Sequence, residues 1–144
     1  MLDVQRYRAA ILREEIHFTR RILLAHLLLG LGVFVLLAGH GVFAWAVGAG
    51  SWYLLTLLPI WGMTCGGGFC RYALGLLFLL FSAAGIFFLN QVVPHLPPGD
   101  AGWIPLRWSS FWLGAGNLIY AIAGGCLMIH QKVRRATTIG FTLR

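Results

Sequence analysis

Residues 22–50 run for 29 positions without a single Asp, Glu, Lys or Arg. Nothing else in the chain constrains the fold as strongly. About 20 apolar residues in an α-helix cross a hydrocarbon core roughly 30 Å thick. The pattern recurs: residues 52–93 hold one charge, Arg71, and residues 111–130 hold none. Inside a bilayer each backbone N–H and C=O must be satisfied within the protein, and continuous apolar runs of this length do so as helices. Composition agrees, because 59% of residues are hydrophobic and 10% are charged, against about 25% charged in soluble domains. The sequence therefore predicts an all-α integral membrane protein with four transmembrane helices.

Spans are expected at about 22–48, 52–66, 72–93 and 111–130, forming a bundle over 22–130 that is followed by a basic tail, 131–144. As one helix the first apolar run would reach about 43 Å, longer than the hydrocarbon core. It must tilt strongly or break, and Gly39-His40-Gly41 is the weakest point for a helix. The turn between spans two and three is placed at "CGGGFCR", residues 65–71, and Pro59 is expected to kink span two. Four prolines and two glycines in "PHLPPGDAGWIPLRW" make a loop before span four.

Residues 1–21 lack Pro and Gly. At 100° per residue Val4, Tyr7, Ile11 and Phe18 share an arc, with Arg6, Arg13 and Arg20 opposite. This predicts an amphipathic interfacial helix that lies along the membrane surface and turns inward at Arg20 and Arg21. A solvated helix docked on a partner protein is the alternative. "AWA" at Ala44 to Ala46 has the form of a signal cleavage site. The long polar lead-in with Glu14 and Glu15, and an apolar run beyond the 7–15 residues of a signal core, favour an uncleaved signal anchor.

The net charge of +7 is concentrated at the chain ends. Five basic residues precede span one, one lies at the span two/three turn and four lie in the tail, against Arg107 alone on the other side. The positive-inside rule then predicts both termini in the cytoplasm, in the plasma membrane or, in a bacterium, the inner membrane. Expected partners are membrane lipids, with Arg20, Arg21, Arg71, Lys132, Arg134 and Arg135 meeting anionic headgroups. Nucleic acid is not expected, because the basic residues do not form a face interleaved with exposed aromatics. Trp45, Trp52, Trp103, Trp108 and Trp112 would form an aromatic belt at the outer interface.

Candidate chemistry starts with His26 and His40. Fourteen residues of helix leave them about 40° from a common face and about 21 Å apart. That spacing is similar to the one by which di-haem b-type cytochromes carry two haems on one helix, which implies b-type haem with His130 and His95 as the available partners. The competing expectation places both histidines at the membrane interfaces, within reach of water, with no cofactor favoured. Cys65, Cys70 and Cys126 have no metal-ligand spacing and read as small apolar fillers. Arg71 follows a glycine run whose amides suit an anion, but the expected role is a topology anchor. Asn117, Tyr120 and Asn90, with Gln91 nearby, are candidates for a polar path or for hydrogen bonds between helices. Gly62-x3-Gly66 and Ala121-x3-Gly125 have the small-x3-small spacing of close helix contacts.

No acidic residue falls within a span, and no phosphate loop, zinc-protease helix or nucleophile elbow is present. The expected function is therefore a non-enzymatic integral membrane subunit that packs in a homo-oligomer or a larger membrane complex. A small channel or carrier for a neutral or anionic solute is the alternative, and a haem-bearing electron-transfer subunit a second one.

Overall fold

The computed structural model describes residues 2–95 and 106–140, with side chains described over 9–95 and 110–140. All its elements are helical: α1 (Leu2–Gly39), α2 (Phe43–Thr64), α3 (Cys70–Phe87), α4 (Leu106–Ile129) and α5 (Gln131–Ile139). Four of these helices are long and apolar enough to cross a membrane. The loop predicted before span four lies largely outside the described residues, as does Trp103.

Helix ends follow from three glycines with positive φ, Gly41, Gly66 and Gly140. After α1 the Val42 N–H reaches the Leu37 carbonyl at 3.1 Å and the Gly41 N–H reaches Ala38 at 3.0 Å. After α2 the Gly67 N–H reaches Gly62 at 2.8 Å and the Gly66 N–H reaches Met63 at 3.2 Å. Each pair is a Schellman motif, which takes up the last helical carbonyls and needs a residue in the left-handed region. The first apolar run thus breaks at the expected place. The second helix begins at Phe43 and not near residue 52, so residues 43–48 belong to α2. Pro59 lies inside α2, which continues through it to Thr64.

The lead-in is continuous with the first span. α1 is one helix of 38 residues with no turn at Arg20 or Arg21, about 57 Å long and so well beyond a bilayer core. No Gly or Pro interrupts it before Gly30. Part of its apolar face is covered by the chain's own C-terminal region: Phe18 packs on His130 at 4.9 Å between ring centroids, and Ile11, Leu12 and Glu15 face Thr138 and Ile139 across a shared groove. The basic tail is accordingly a helix over most of its described length. His130 is its N-cap, extended at ψ 125° with its ring Nδ1 accepting the Lys132 N–H at 3.2 Å. Val133, Ala136 and Thr137 are its buried positions.

Ion pairs fix this arrangement, with Lys132 on Glu14 at 2.5 Å and Arg135 on Glu15 at 3.1 Å. The Glu15 carboxylate is buried and the Glu14 pair is exposed. The two ends of the chain therefore meet at one end of the bundle.

The tightest helix pair is α3 with α4. A Cβ on Gly124 would stand 2.9 Å from the Gly75 carbonyl oxygen, and one on Gly75 would stand 3.0 Å from that of Gly124. Further along, the Ser82 hydroxyl donates to the Asn117 carbonyl at 2.9 Å. Of the two small-x3-small patterns, Gly62-x3-Gly66 works inside the α2–α3 turn, where Gly62 faces Cys70. In the other, a Cβ on Gly125 would meet nothing within 4 Å.

Candidate functional site

The centre of the bundle is built on His26. Its residue is 2% exposed, so the imidazole is enclosed by the chain's own helices and is not open to water. Nε2 lies 2.8 Å from the Thr56 hydroxyl and Nδ1 lies 3.0 Å from the Tyr120 hydroxyl. The direction of this chain follows from its far end. Thr56 donates to the Tyr53 carbonyl at 2.6 Å, so its oxygen accepts from His26 Nε2–H. Nδ1 is then the acceptor for Tyr120 O–H. One imidazole tautomer satisfies every group, and α1, α2 and α4 are joined without a buried charge.

Aromatic rings enclose this chain. Trp52 stacks on Phe81 at 3.8 Å between centroids and donates its indole N–H to the Leu77 carbonyl at 3.1 Å. Phe78 lies 4.7 Å from the His26 ring and 5.1 Å from that of Tyr120. Trp52 is thus a member of the inner layer, not of an interfacial belt. Trp45 packs edge-on against Phe88 at 4.9 Å near the start of α2, and Trp112 is exposed near the start of α4. The side chain of Trp108 lies outside the described residues.

Two cavities flank the aromatic layer along the bundle. One, of about 380 Å³, is bounded by all four long helices, with Val33 and Leu37, Trp45 and Trp52, Phe81 and Asn117 among its walls. The other, of about 400 Å³, lies toward the chain ends and includes Phe18, Arg21, His26 and Tyr120. Asn117 is 7% exposed, and its carboxamide lies against Gly85, where an added Cβ would overlap it.

The sequence candidates separate here. Tyr120 and Asn117 lie one turn apart on α4, yet Tyr120 belongs to the His26 chain and Asn117 faces the apolar cavity. Asn90 is exposed in a π-helical turn, Phe88–Val92, where the Val93 N–H reaches Phe88 five residues back. The three do not line a common polar path. Of the residues named for haem, His26 has both ring nitrogens facing hydroxyl groups, and His130 caps α5. Among the described residues no three His, Cys, Asp or Glu side chains converge.

Of the headgroup candidates, Arg21 and Arg134 are exposed and Arg20 is half-buried. Lys132 and Arg135 are engaged by Glu14 and Glu15. Arg71 is 6% exposed and not displayed outward. Its guanidinium sits 4.3 Å over the Tyr72 ring and donates to the Tyr72 hydroxyl, while its Nη1 is buried without a hydrogen bond among the described residues.

Sequence reasoning missed Thr56, Ser82 and Phe78. A hydroxyl within a run as apolar as residues 52–63 is the signal that was available for Thr56, since such a group seeks a partner. Comparison with protein-family models, with curated proteins and with solved structures returned no match.

Proposed function

We propose that this chain is a non-enzymatic, multi-pass membrane subunit that packs on copies of itself or on other membrane proteins, with its basic ends toward the cytoplasm and anionic headgroups. The observation that supports this reading most is that the polar side chains around His26 are taken up inside the chain. His26, Thr56 and Tyr120 satisfy one another across three helices, as the polar groups of a packing scaffold do. A Cβ on Gly125 of α4 or Gly32 of α1 would meet nothing within 4 Å among the described residues, which suits close approach by a neighbouring helix. Arg21 and Arg134 stay available for headgroups at the end where the chain termini meet.

Cross-linking in native membranes tests the proposal. The expected product joins the chain to a second copy or to another membrane protein, and Gly125→Leu or Gly32→Leu reduces its yield. A chain that cross-links to nothing in native membranes and runs as a monomer in bilayer nanodiscs defeats the reading.

A second reading, a small carrier for a neutral solute, draws on the two cavities stacked on either side of the aromatic layer. It requires that layer to move, because Trp52, Phe78, Phe81 and Tyr120 pack ring against ring between them.

A further inference from the structure

We propose that the cavity over Asn117 binds a neutral, bilayer-dissolved lipid through a hydroxyl head. The inference is independent of the subunit reading and rests on the chemistry of the cavity wall. Among the described residues lining the space of about 380 Å³, Asn117 alone carries a side-chain amide, hydroxyl or charge. The Asn117 residue is 93% buried, its backbone carbonyl accepts a hydrogen bond from Ser82, and its carboxamide lies at the cavity wall against Gly85. A carboxamide at the wall of an apolar space can both donate and accept a hydrogen bond there. Such a group aimed into an apolar cavity is what an orienting contact for a ligand looks like.

The occupant follows from what the walls accept. Water would find only the Asn117 amide and the Trp45 indole N–H on an otherwise apolar wall, so an occupant that is mostly apolar matches the lining better. An ion is excluded by the absence of any charge in the lining. Entry is from the side: Ala44 and Gly48 on α2 and Leu80 and Ala84 on α3 line the cavity and are exposed, so its mouth opens toward hydrocarbon. A ligand arriving that way is apolar along most of its length. The carboxamide offers both a donor and an acceptor, and a hydroxyl head answers both, while a ketone or ester answers the donor alone. Trp45, Trp52, Phe81 and Phe88 then hold the chain next to the head.

Two of the walls are tryptophans, which supplies the readout. In nanodiscs the wild-type protein is titrated with a dibrominated long-chain alcohol, whose bromines quench tryptophan on contact, and with the dibrominated alkane of the same length. Saturable quenching by the alcohol is expected, reversed by the unbrominated alcohol. Asn117→Leu should raise the half-saturation point by about tenfold, the equivalent of one lost hydrogen bond, and bring the alcohol level with the alkane. Gly48→Leu fills the mouth from a position where a Cβ meets nothing within 4 Å; it should abolish saturation without touching Asn117, so the test survives if Asn117→Leu fails to fold. Non-saturable quenching equal in all three proteins overturns the proposal. So does saturable quenching that is the same for alcohol and alkane and unchanged by Asn117→Leu, which would mark an ordinary greasy groove. Cross-linking of each variant is followed in parallel, so loss of association and loss of the lipid site are read separately.

Discussion

At the scale of single residues, His26 determines most about the interior. An imidazole buried inside a helical bundle is tolerable only when both ring nitrogens are satisfied, and Thr56 and Tyr120 do this from two other helices. Polar contacts between membrane helices average about 0.6 kcal/mol and reach about 1.7, so each bond is modest and the set is cooperative. Tyr120→Phe and His26→Phe should each destabilise the bundle. Measured by reversible unfolding in detergent or by steric trapping, the double variant should lose less than the sum of the two, with a coupling of about 0.6–1.7 kcal/mol. Additive losses would mean that the two side chains do not meet. The sequence allowed no such conclusion, because the partners stand 30 and 94 positions from His26. Its distance from Arg20 and Arg21 suggested an interfacial position, but neighbours along a chain do not reveal which way a helix face turns.

At the scale of elements, glycines decide both where helices stop and how closely they pack. Gly75 and Gly124 bring α3 and α4 together backbone to backbone. Gly75→Ala or Gly124→Ala places a methyl at about van der Waals overlap with a carbonyl that cannot move aside, for an expected loss of about 1–3 kcal/mol. Gly32→Ala meets nothing within 4 Å and should leave unfolding within about 0.5 kcal/mol of wild type. Equal losses at Gly124 and Gly32 would show that the α3–α4 contact is not what these glycines serve. Much of this level was legible. The number of spans follows from apolar length alone, and the break after Gly39 follows from paired glycines. What hydropathy could not show was that residues 43–48 belong to the next helix, since Val42 to Gly50 is apolar on either assignment. Nor could it show that the amphipathic lead-in has a partner within the chain. The face carrying Ile11 and Phe18 is apolar whether it meets lipid or α5, and only the ion pairs from Glu14 and Glu15 to α5 distinguish the two.

At the scale of the whole molecule, α5 is strapped to the N-terminal half of α1, and the proposed four-span reading puts both of these segments on one side of the membrane. The Lys132–Glu14 and Arg135–Glu15 pairs hold that end together, while the Gly39-His40-Gly41 turn between α1 and α2 lies at the opposite end. With the paired end proposed to face the cytoplasm, as the excess of basic residues near the termini suggests, the subunit reading depends on this geometry, because it fixes which surfaces are offered to neighbours. Cysteine labelling in sealed, oriented vesicles measures it directly. In a chain with Cys65, Cys70 and Cys126 replaced, single cysteines at Arg13, His40 and Ile139 are exposed to a membrane-impermeant maleimide. The expected result is that Arg13→Cys and Ile139→Cys react only from the cytoplasmic face and His40→Cys only from the other. Labelling of the two end positions from opposite faces, or of His40→Cys from the same face as both, would contradict the four-span bundle with paired ends.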